Sequence, residues 1–185
     1  MCPYAPEFAR LPLRRTFRAP VLIGVLMAAM AAPGAAAIKE WAVHVGSFNV
    51  TKNPTSAEAG FELRFPTRWP DADLVAGLAG TEDSSLWAYA GGRYTFRLDR
   101  RWGFSLGLAV SVYEDGDGKD LGGPIEFRSH YELSYATGQR SRLSLIFYHL
   151  SNAGLYDKNP GANSAVLAWS VRPGGGKPET RPPDR

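Results

Sequence analysis

The sequence has little cysteine, little net charge and no long stretch of helical periodicity, and each shortage excludes a class of protein. Cys2 is the single cysteine, so no disulfide can form within the chain. A net charge of +3 is too small to indicate nucleic-acid binding. Beyond the first 37 residues, apolar side chains do not recur at the spacing of a helix. These absences argue against a disulfide framework, a nucleic-acid-binding domain and a helical bundle.

The longest apolar run, residues 19–37, is interrupted by Pro33 and Gly34 and is short for a membrane-spanning helix. Arginines precede this run, and the small residues Ala35-Ala36-Ala37 end it, which is the pattern of a cleavable export signal. The sequence therefore predicts a signal peptide over residues 1–37. The alternatives are a membrane anchor and, from the paired arginines, export by a twin-arginine route.

The rest of the chain alternates apolar and polar residues with a period of two, which is the pattern of half-buried β-strands. "WGFSLGLAVSVYED", residues 102–115, and "PIEFRSHYELSY", residues 124–135, show it most clearly. Separated by turn residues, about eight such segments of roughly ten residues fit the chain. They are predicted near 39–50, 57–66, 73–81, 85–98, 102–115, 123–136, 141–152 and 163–172.

The polar face of these strands decides between two architectures. It combines glutamate, arginine and histidine with glycine and serine, whereas a face in contact with water would be richer in lysine. Charged and small residues together suit a narrow lumen, so the apolar face is expected to contact lipid. The sequence predicts an all-β fold for residues 38–172: an eight-stranded antiparallel transmembrane β-barrel of the outer-membrane type, filled by its own side chains. A hydrophilic, disordered tail is predicted over residues 173–185.

A soluble barrel that carries a lipid is the alternative architecture. In that case Phe104, Leu106 and Leu108 would be buried inside the barrel.

"FYHLSNAGLYDKNPGAN", residues 147–163, places polar side chains on the apolar face of the last two strands. His149 and Ser151 share the parity of Phe147, and Asn163 shares the parity of the outward residues of the eighth strand. Polar groups beside lipid are costly unless they pair or act chemically. A histidine two residues from a serine is a base next to a nucleophile, as used in acyl transfer. The alternative is a set of interfacial residues that bind water or lipid headgroups.

"HLSNAGLYDKNPG" resembles the H-x-S-N-A-G signature of the lipid A 3-O-deacylase (PagL-type) family, and residues 113–135 resemble the hairpin before it. A looser likeness extends from Trp41 to Val171. The resemblance implies an eight-stranded outer-membrane barrel with a lipid-facing active site. It implies lipid A of lipopolysaccharide as the substrate and the outer membrane as the location. It requires no metal or cofactor, involves no nucleic acid and permits a homodimer.

The resemblance also assigns roles to residues. Ser151 would be the nucleophile and His149 its base. Asn152 and the backbone N–H of Gly154 would be the oxyanion-hole donors. The position that orients the histidine holds an acid in family members, but here it holds Asn163. An amide accepts a hydrogen bond from histidine without stabilising the imidazolium by charge, and the comparable change in a serine protease lowers kcat by ~10⁴.

Other carboxylates are poor substitutes for the missing acid. Asp157 is predicted to lie in a loop, and Glu126 and Glu132 are expected to face the lumen. The chain is therefore predicted to be a serine esterase acting on lipid A. The alternative is a non-catalytic barrel, either an inactive relative or a structural or binding protein.

Two further features have plain structural interpretations. "DGDGKD", residues 115–120, resembles the start of a calcium loop, but Lys119 stands where an oxygen ligand is needed. We expect an exposed turn there. His130 shares the lumen parity of Glu126, Arg128 and Glu132, so an internal polar network is expected.

Overall fold

In a computed structural model of the protein, residues 38–174 are described, and they form a closed antiparallel barrel of eight strands. The predicted signal segment and all but the first two residues of the predicted tail lie outside the described residues. The strands are β1 (Glu40–Phe48), β2 (Ser56–Pro66), β3 (Ala72–Thr81), β4 (Leu86–Arg97), β5 (Trp102–Glu114), β6 (Ile125–Ala136), β7 (Ser141–Ser151) and β8 (Ala162–Val171).

The barrel follows the simplest topology, in which each strand pairs with its neighbours in sequence and β1 closes the ring against β8. The closing seam runs from Trp41 opposite Val171 to Ser47 opposite Ala165. The predicted strands are confirmed, with every boundary within two residues of its expected position. Their turn residues were informative because a hairpin must reverse the chain within a few positions.

The two ends of the barrel differ in their connections. One end, here called the long-loop end, carries residues 49–55, 82–85, 115–124 and 152–161. The other, the short-turn end, carries residues 67–71, 98–101 and 137–140 together with both ends of the barrel chain. Outer-membrane barrels have short periplasmic turns and longer extracellular loops, so in a barrel of that type we expect the long-loop end to face the cell exterior.

The outer wall of the barrel is apolar. Leu108 is 69% exposed and Leu106 39% exposed, and Phe104 is half-buried on the same face. The soluble-barrel alternative is therefore wrong, since these side chains point outward rather than into an internal core. No helix in residues 38–174 is long and apolar enough to cross a bilayer.

The lumen near the short-turn end is held by a buried ion network. Arg64 contacts Glu40 at 2.5 Å, Glu62 at 2.7 Å and Glu132 at 3.0 Å, and Arg93 contacts Glu132 at 2.7 Å. All five side chains lie inside the barrel and are at least nine-tenths buried. Because these residues come from four strands, β1, β2, β4 and β6, the network ties opposite walls of the barrel together.

Halfway along the lumen, the Arg128 guanidinium lies between two tyrosine rings. Its centre is 4.5 Å from the Tyr89 ring centroid and 4.2 Å from that of Tyr148. Arg128 is also 3.1 Å from His130 Nδ1. The expected internal network around His130 is thus present. Glu126 is fully buried too, but neither of its carboxylate oxygens has a hydrogen-bond partner among the described residues.

Aromatic side chains close the lumen at the long-loop end. The ring centroids of Phe48 and Trp87 are 5.3 Å apart. The Tyr113 ring centroid lies 6.3 Å from that of Phe48 and 6.0 Å from that of Trp87. Leu121, from the loop above, is buried with them. The barrel is therefore filled by its own side chains, as expected for eight strands.

Replacing Arg64 with methionine should destabilise the barrel. The change leaves three buried carboxylates without their shared cation, and breaking a buried ion pair by removing one partner costs about 3–5 kcal/mol. Urea unfolding in lipid vesicles would measure the loss. The exposed Lys158, replaced by methionine, is the control and should change little. A loss for Arg64→Met no larger than that of the control would contradict the role given to the network.

Candidate active site

The three polar residues predicted on the outer wall do lie there. His149 and Ser151 end β7, Asn163 begins β8, and all three are half-buried while the residues beside them in sequence point into the lumen. His149 and Asn163 are direct partners across the two strands. The site stands at the long-loop end, where the apolar wall meets the loops.

His149 is hydrogen-bonded to Asn163 through Nδ1 and Oδ1, which are 2.8 Å apart. An amide oxygen only accepts hydrogen bonds, so the ring nitrogen must donate. This assigns the ring proton of a neutral His149 to Nδ1. The other ring nitrogen, Nε2, then carries the lone pair that a general base needs.

The Asn163 amide is oriented by a residue from the opposite end of the chain. Its Nδ2 donates to Thr51 Oγ1 at 2.8 Å, and Thr51 lies 112 positions earlier in the sequence. The backbone N–H of Val50 also donates to the carbonyl of Asn163, at 2.8 Å. With its nitrogen bonded to Thr51, the amide presents its oxygen to His149. The loop between β1 and β2 thus completes the site.

Lys119 fastens this loop to the start of β8. Its Nζ donates to Asn49 Oδ1 at 2.8 Å and to the Gly161 carbonyl at 2.6 Å. Asn49 in turn donates to two carbonyls of its own loop, those of Lys52 and Pro54. Partial burial of the ammonium and the charge of Lys52 lower the pKa of Lys119. Three loops therefore meet at one lysine.

Gly161 gives the His149 ring its space. It adopts φ +56°, a backbone conformation that favours glycine. A Cβ placed there would lie 2.8 Å from His149 Cε1 and 3.2 Å from Nε2. Any larger residue would push against the ring edge that faces away from Asn163.

Ser151 lies near His149 without being bonded to it. The two residues are two positions apart on β7, so their Cα atoms are about 6.6 Å apart along the strand. In residues 38–174 no hydrogen bond joins Ser151 to His149. Hydrogen bonds of catalytic groups are often long in unliganded enzymes and tighten when substrate binds.

The predicted oxyanion donors are engaged in holding the turn after β7. The Asn152 side chain is fully buried beneath the loops, and its amide nitrogen donates to the carbonyls of Leu121 and Lys158. Its Oδ1 accepts the Gly154 N–H at 3.0 Å. Ala153 between them has φ 52°, a strained conformation for a residue with a side chain. The oxyanion role of Asn152 and Gly154 stays a prediction.

The alternative carboxylates lie away from His149, as expected. Asp157 is exposed in the loop, and Glu126 and Glu132 are buried inside the barrel. Within the described ranges no three histidine, aspartate or glutamate side chains gather as a metal site. Residues 115–120 form a turn at the long-loop end, which the Gly118 N–H closes on the Asp115 carbonyl at 2.8 Å.

The sequence indicated His149, Ser151 and Asn163 but gave no signal for Thr51, Asn49 or Lys119. These three belong to loops that are distant from the motif in sequence. Thr51 and Asn49 reach it because β1 closes against β8, and Lys119 reaches it from the loop between β5 and β6. In the sequence, Lys119 is marked only as the residue that disqualifies a calcium loop.

Comparison with known proteins gives a family match. The family model described as lipid A 3-O-deacylase (PagL) matches residues 57–172. The matched region includes His149, Ser151 and Asn163 but not Thr51. A search of curated proteins found no match.

Solved structures share the fold. The crystal structure of the outer membrane enzyme PagL superposes with a TM-score of 0.57 at 19% identity, covering 72% of this chain and 99% of that one. Neisserial surface protein A gives a TM-score of 0.53 at 13% identity, covering 72% and 94%. A de novo designed transmembrane β-barrel gives 0.53 at 10%, covering 74% and 97%. At these identities the likeness concerns the fold.

The match spans more than half of the chain and includes both strands that carry the polar group. The family match, together with the closed barrel and its apolar outer wall, places the protein in the outer membrane. The chain belongs to the PagL family of outer-membrane lipid A deacylases.

Proposed function

We propose that this chain hydrolyses the ester that links an acyl chain to the 3-position of lipid A, using Ser151 and His149. The observation that carries the proposal is the hydrogen-bonded series Thr51–Asn163–His149 on the outer wall, with Ser151 on the same face. The site lies where the apolar wall ends at the cell exterior, which is the depth of the ester bonds of an outer-leaflet lipid. Substrate would enter sideways from the membrane.

Acylation begins when His149 Nε2 removes the proton of the Ser151 hydroxyl. The serine oxygen attacks the ester carbonyl, and the tetrahedral intermediate carries the negative charge on the former carbonyl oxygen. Asn163 keeps the imidazole in the tautomer and orientation that this transfer requires. When the intermediate collapses, His149 returns the proton to the sugar oxygen, which leaves as a hydroxyl.

Deacylation repeats the steps with water. His149 Nε2 takes a proton from a water molecule whose oxygen attacks the acyl–serine ester. Collapse of the second intermediate releases a fatty acid and restores the Ser151 hydroxyl. The products are a free fatty acid and a lipid A that lacks one acyl chain.

The charge of each intermediate needs hydrogen-bond donors, and the turn after Ser151 is the proposed source. The resemblance assigns two donors, Asn152 and the Gly154 N–H, and the Asn152 amide nitrogen is bonded to the carbonyls of Leu121 and Lys158. The Gly154 N–H is the donor proposed here. It now bonds to Asn152 Oδ1, so its use requires a small shift of the turn on substrate binding. Ala153 and Gly154 have positive φ values of 52° and 80°. On substrate binding, this strained turn would shift so that the Gly154 N–H donates to the substrate oxygen in place of Asn152 Oδ1.

An amide in the acid position supports slower chemistry than a carboxylate. It holds the ring but does not offset the charge of the imidazolium that forms in both steps. The same observation, with the missing Ser151–His149 bond, favours the alternative that the chain is an inactive relative. An active enzyme would produce lipid A with one acyl chain fewer, whereas an inactive relative would leave lipid A unchanged.

The first experiment compares lipid A from outer membranes that contain the native chain or Ser151→Ala. We expect loss of one ester-linked chain with the native protein, and a decrease in rate of at least about 10³-fold for the variant, because the nucleophile is gone. Mass spectrometry of lipid A measures both.

Ser141→Ala is the matched control, since Ser141 lies on β7 with the parity of Ser151 but at the short-turn end. It should retain native activity. Unchanged lipid A from a native barrel that is shown to be folded would identify an inactive relative.

Asn163→Glu should raise the rate of deacylation. The carboxylate would accept from His149 Nδ1 and stabilise the imidazolium by charge, while the Thr51 hydroxyl turns to donate to it. The gain is bounded by the ~10⁴-fold loss that the reverse change causes in a serine protease. Single-turnover rates on purified lipid A would show it. Asn163→Ala, which removes the acceptor, should be slower than the native chain, and equal rates for all three would exclude a role for this position.

Thr51→Val should lower kcat by about tenfold with little change in KM. Valine has the shape of threonine but leaves the Asn163 nitrogen without its acceptor, so that both orientations of the amide become accessible. Thr51→Ser keeps the hydroxyl and should restore most of the rate. In Asn163→Glu the valine substitution should matter less, because both carboxylate oxygens are acceptors. An equal loss in both backgrounds would refute this account.

A further inference from the structure

The charged side chains are divided unequally between the two ends of the barrel. The four long loops carry six acids and three lysines but no arginine: Glu82, Asp83, Asp115, Asp117, Asp120 and Asp157, with Lys52, Lys119 and Lys158. The basic side chains of the short-turn end that reach its surface are, with one exception, arginines: Lys39, Arg68, Arg97, Arg100, Arg101, Arg140, Arg142 and Arg172. The acids exposed or half-exposed there, within residues 38–174, are Asp71 and Asp99.

Each of the three short turns contributes at least one exposed arginine, and Arg68, Arg101 and Arg140, one from each turn, are here called the arginine collar. Within residues 38–174, no carboxylate lies at ion-pair distance from any of them. The turns are two strands apart, so the collar residues are spaced by about 10 Å around the rim.

Two collar residues lie against aromatic rings at the rim. The Arg68 guanidinium is 4.4 Å from the ring centroid of Trp69, which is 59% exposed. Arg101 donates to the Tyr135 hydroxyl at 2.8 Å, and the Tyr135 ring contacts Trp102 at 4.9 Å between centroids. Tryptophan and tyrosine mark the membrane–water interface of a barrel. These contacts place the guanidinium groups at the level of the lipid headgroups.

The chemistry of the collar fits a phosphate ester. A guanidinium group offers parallel N–H donors that bind two phosphate oxygens, and it retains these donors while it stacks on a ring. A site for neutral headgroups would not need several cations on one rim. We propose that the arginine collar binds the phosphates of anionic phospholipids in the periplasmic leaflet of the outer membrane.

This proposal is independent of the esterase chemistry, because the collar lies at the opposite end of the barrel from His149 and Ser151. Binding several anionic headgroups at the rim would stabilise the inserted barrel. It would also favour the orientation in which the arginine-free, acidic long loops face the exterior.

The test uses the full chain, purified in a non-ionic detergent and checked as folded by its gel mobility without heating. Dimyristoyl phosphatidylglycerol and dimyristoyl phosphatidylcholine are the probes. Native mass spectrometry measures the number of bound lipids and their dissociation constants. We expect phosphatidylglycerol to bind more tightly than phosphatidylcholine. Equal affinities would overturn the proposal.

The decisive comparison is between two variants of equal charge. Arg68→Gln with Arg101→Gln should weaken phosphatidylglycerol binding by roughly 30-fold, from the loss of two cations at an anionic surface. Lys52→Gln with Lys158→Gln removes the same charge from the long-loop end and should leave the affinity unchanged. An equal loss in both variants would show a non-specific attraction and overturn the proposal.

Two further arms address specificity. Arg68→Lys with Arg101→Lys keeps the charge but loses the paired donors, and its affinity should fall between those of the native chain and the glutamine variant. A lysine variant as tight as the native chain would overturn the role of the guanidinium groups. Inorganic phosphate, added at the same concentration as the lipid, should not displace phosphatidylglycerol. Displacement would identify a site for free phosphate rather than for a lipid headgroup, and would overturn the proposal.

Discussion

Hydrogen bonding of the backbone within hydrocarbon is the constraint on which the rest of this structure depends. A sheet in lipid has no water to satisfy its edge, so it must close, and β1 closes against β8. Closure fixes an inside and an outside for every strand. The period-two pattern then places ion pairs such as Arg64 with Glu132 in the lumen and the apolar residues against lipid.

The same closure creates the candidate active site. His149 and Asn163 face each other because β7 and β8 pair in one register, and a shift of either strand by one residue would turn its side chain into the lumen. Thr51 reaches Asn163 because the loop after β1 crosses the closing seam. The site is thus a property of the seam, held by a rigid wall on one side and loops joined at Lys119 on the other.

Polar residues on the outer wall cost less free energy near the membrane–water interface than in the hydrocarbon core. The candidate site lies at the exterior rim and bonds His149, Asn163 and Thr51 to one another, which reduces the cost of their contact with lipid. The arginine collar occupies the opposite rim and uses aromatic rings as partners. The two rims carry opposite charge, and the apolar band between them keeps them apart.

The alternation of side chains by itself determined the eight strands, the inward and outward faces and the position of His149 and Ser151 beside lipid, because strand geometry turns parity into direction. The motif added the expectation for Asn163. Only the tertiary structure decided that Thr51 orients the Asn163 amide, that Lys119 joins three loops, and that Asn152 turns inward to hold its own loop. Those contacts join residues far apart in sequence, and no local pattern encodes a hydrogen bond that exists only once the barrel has closed.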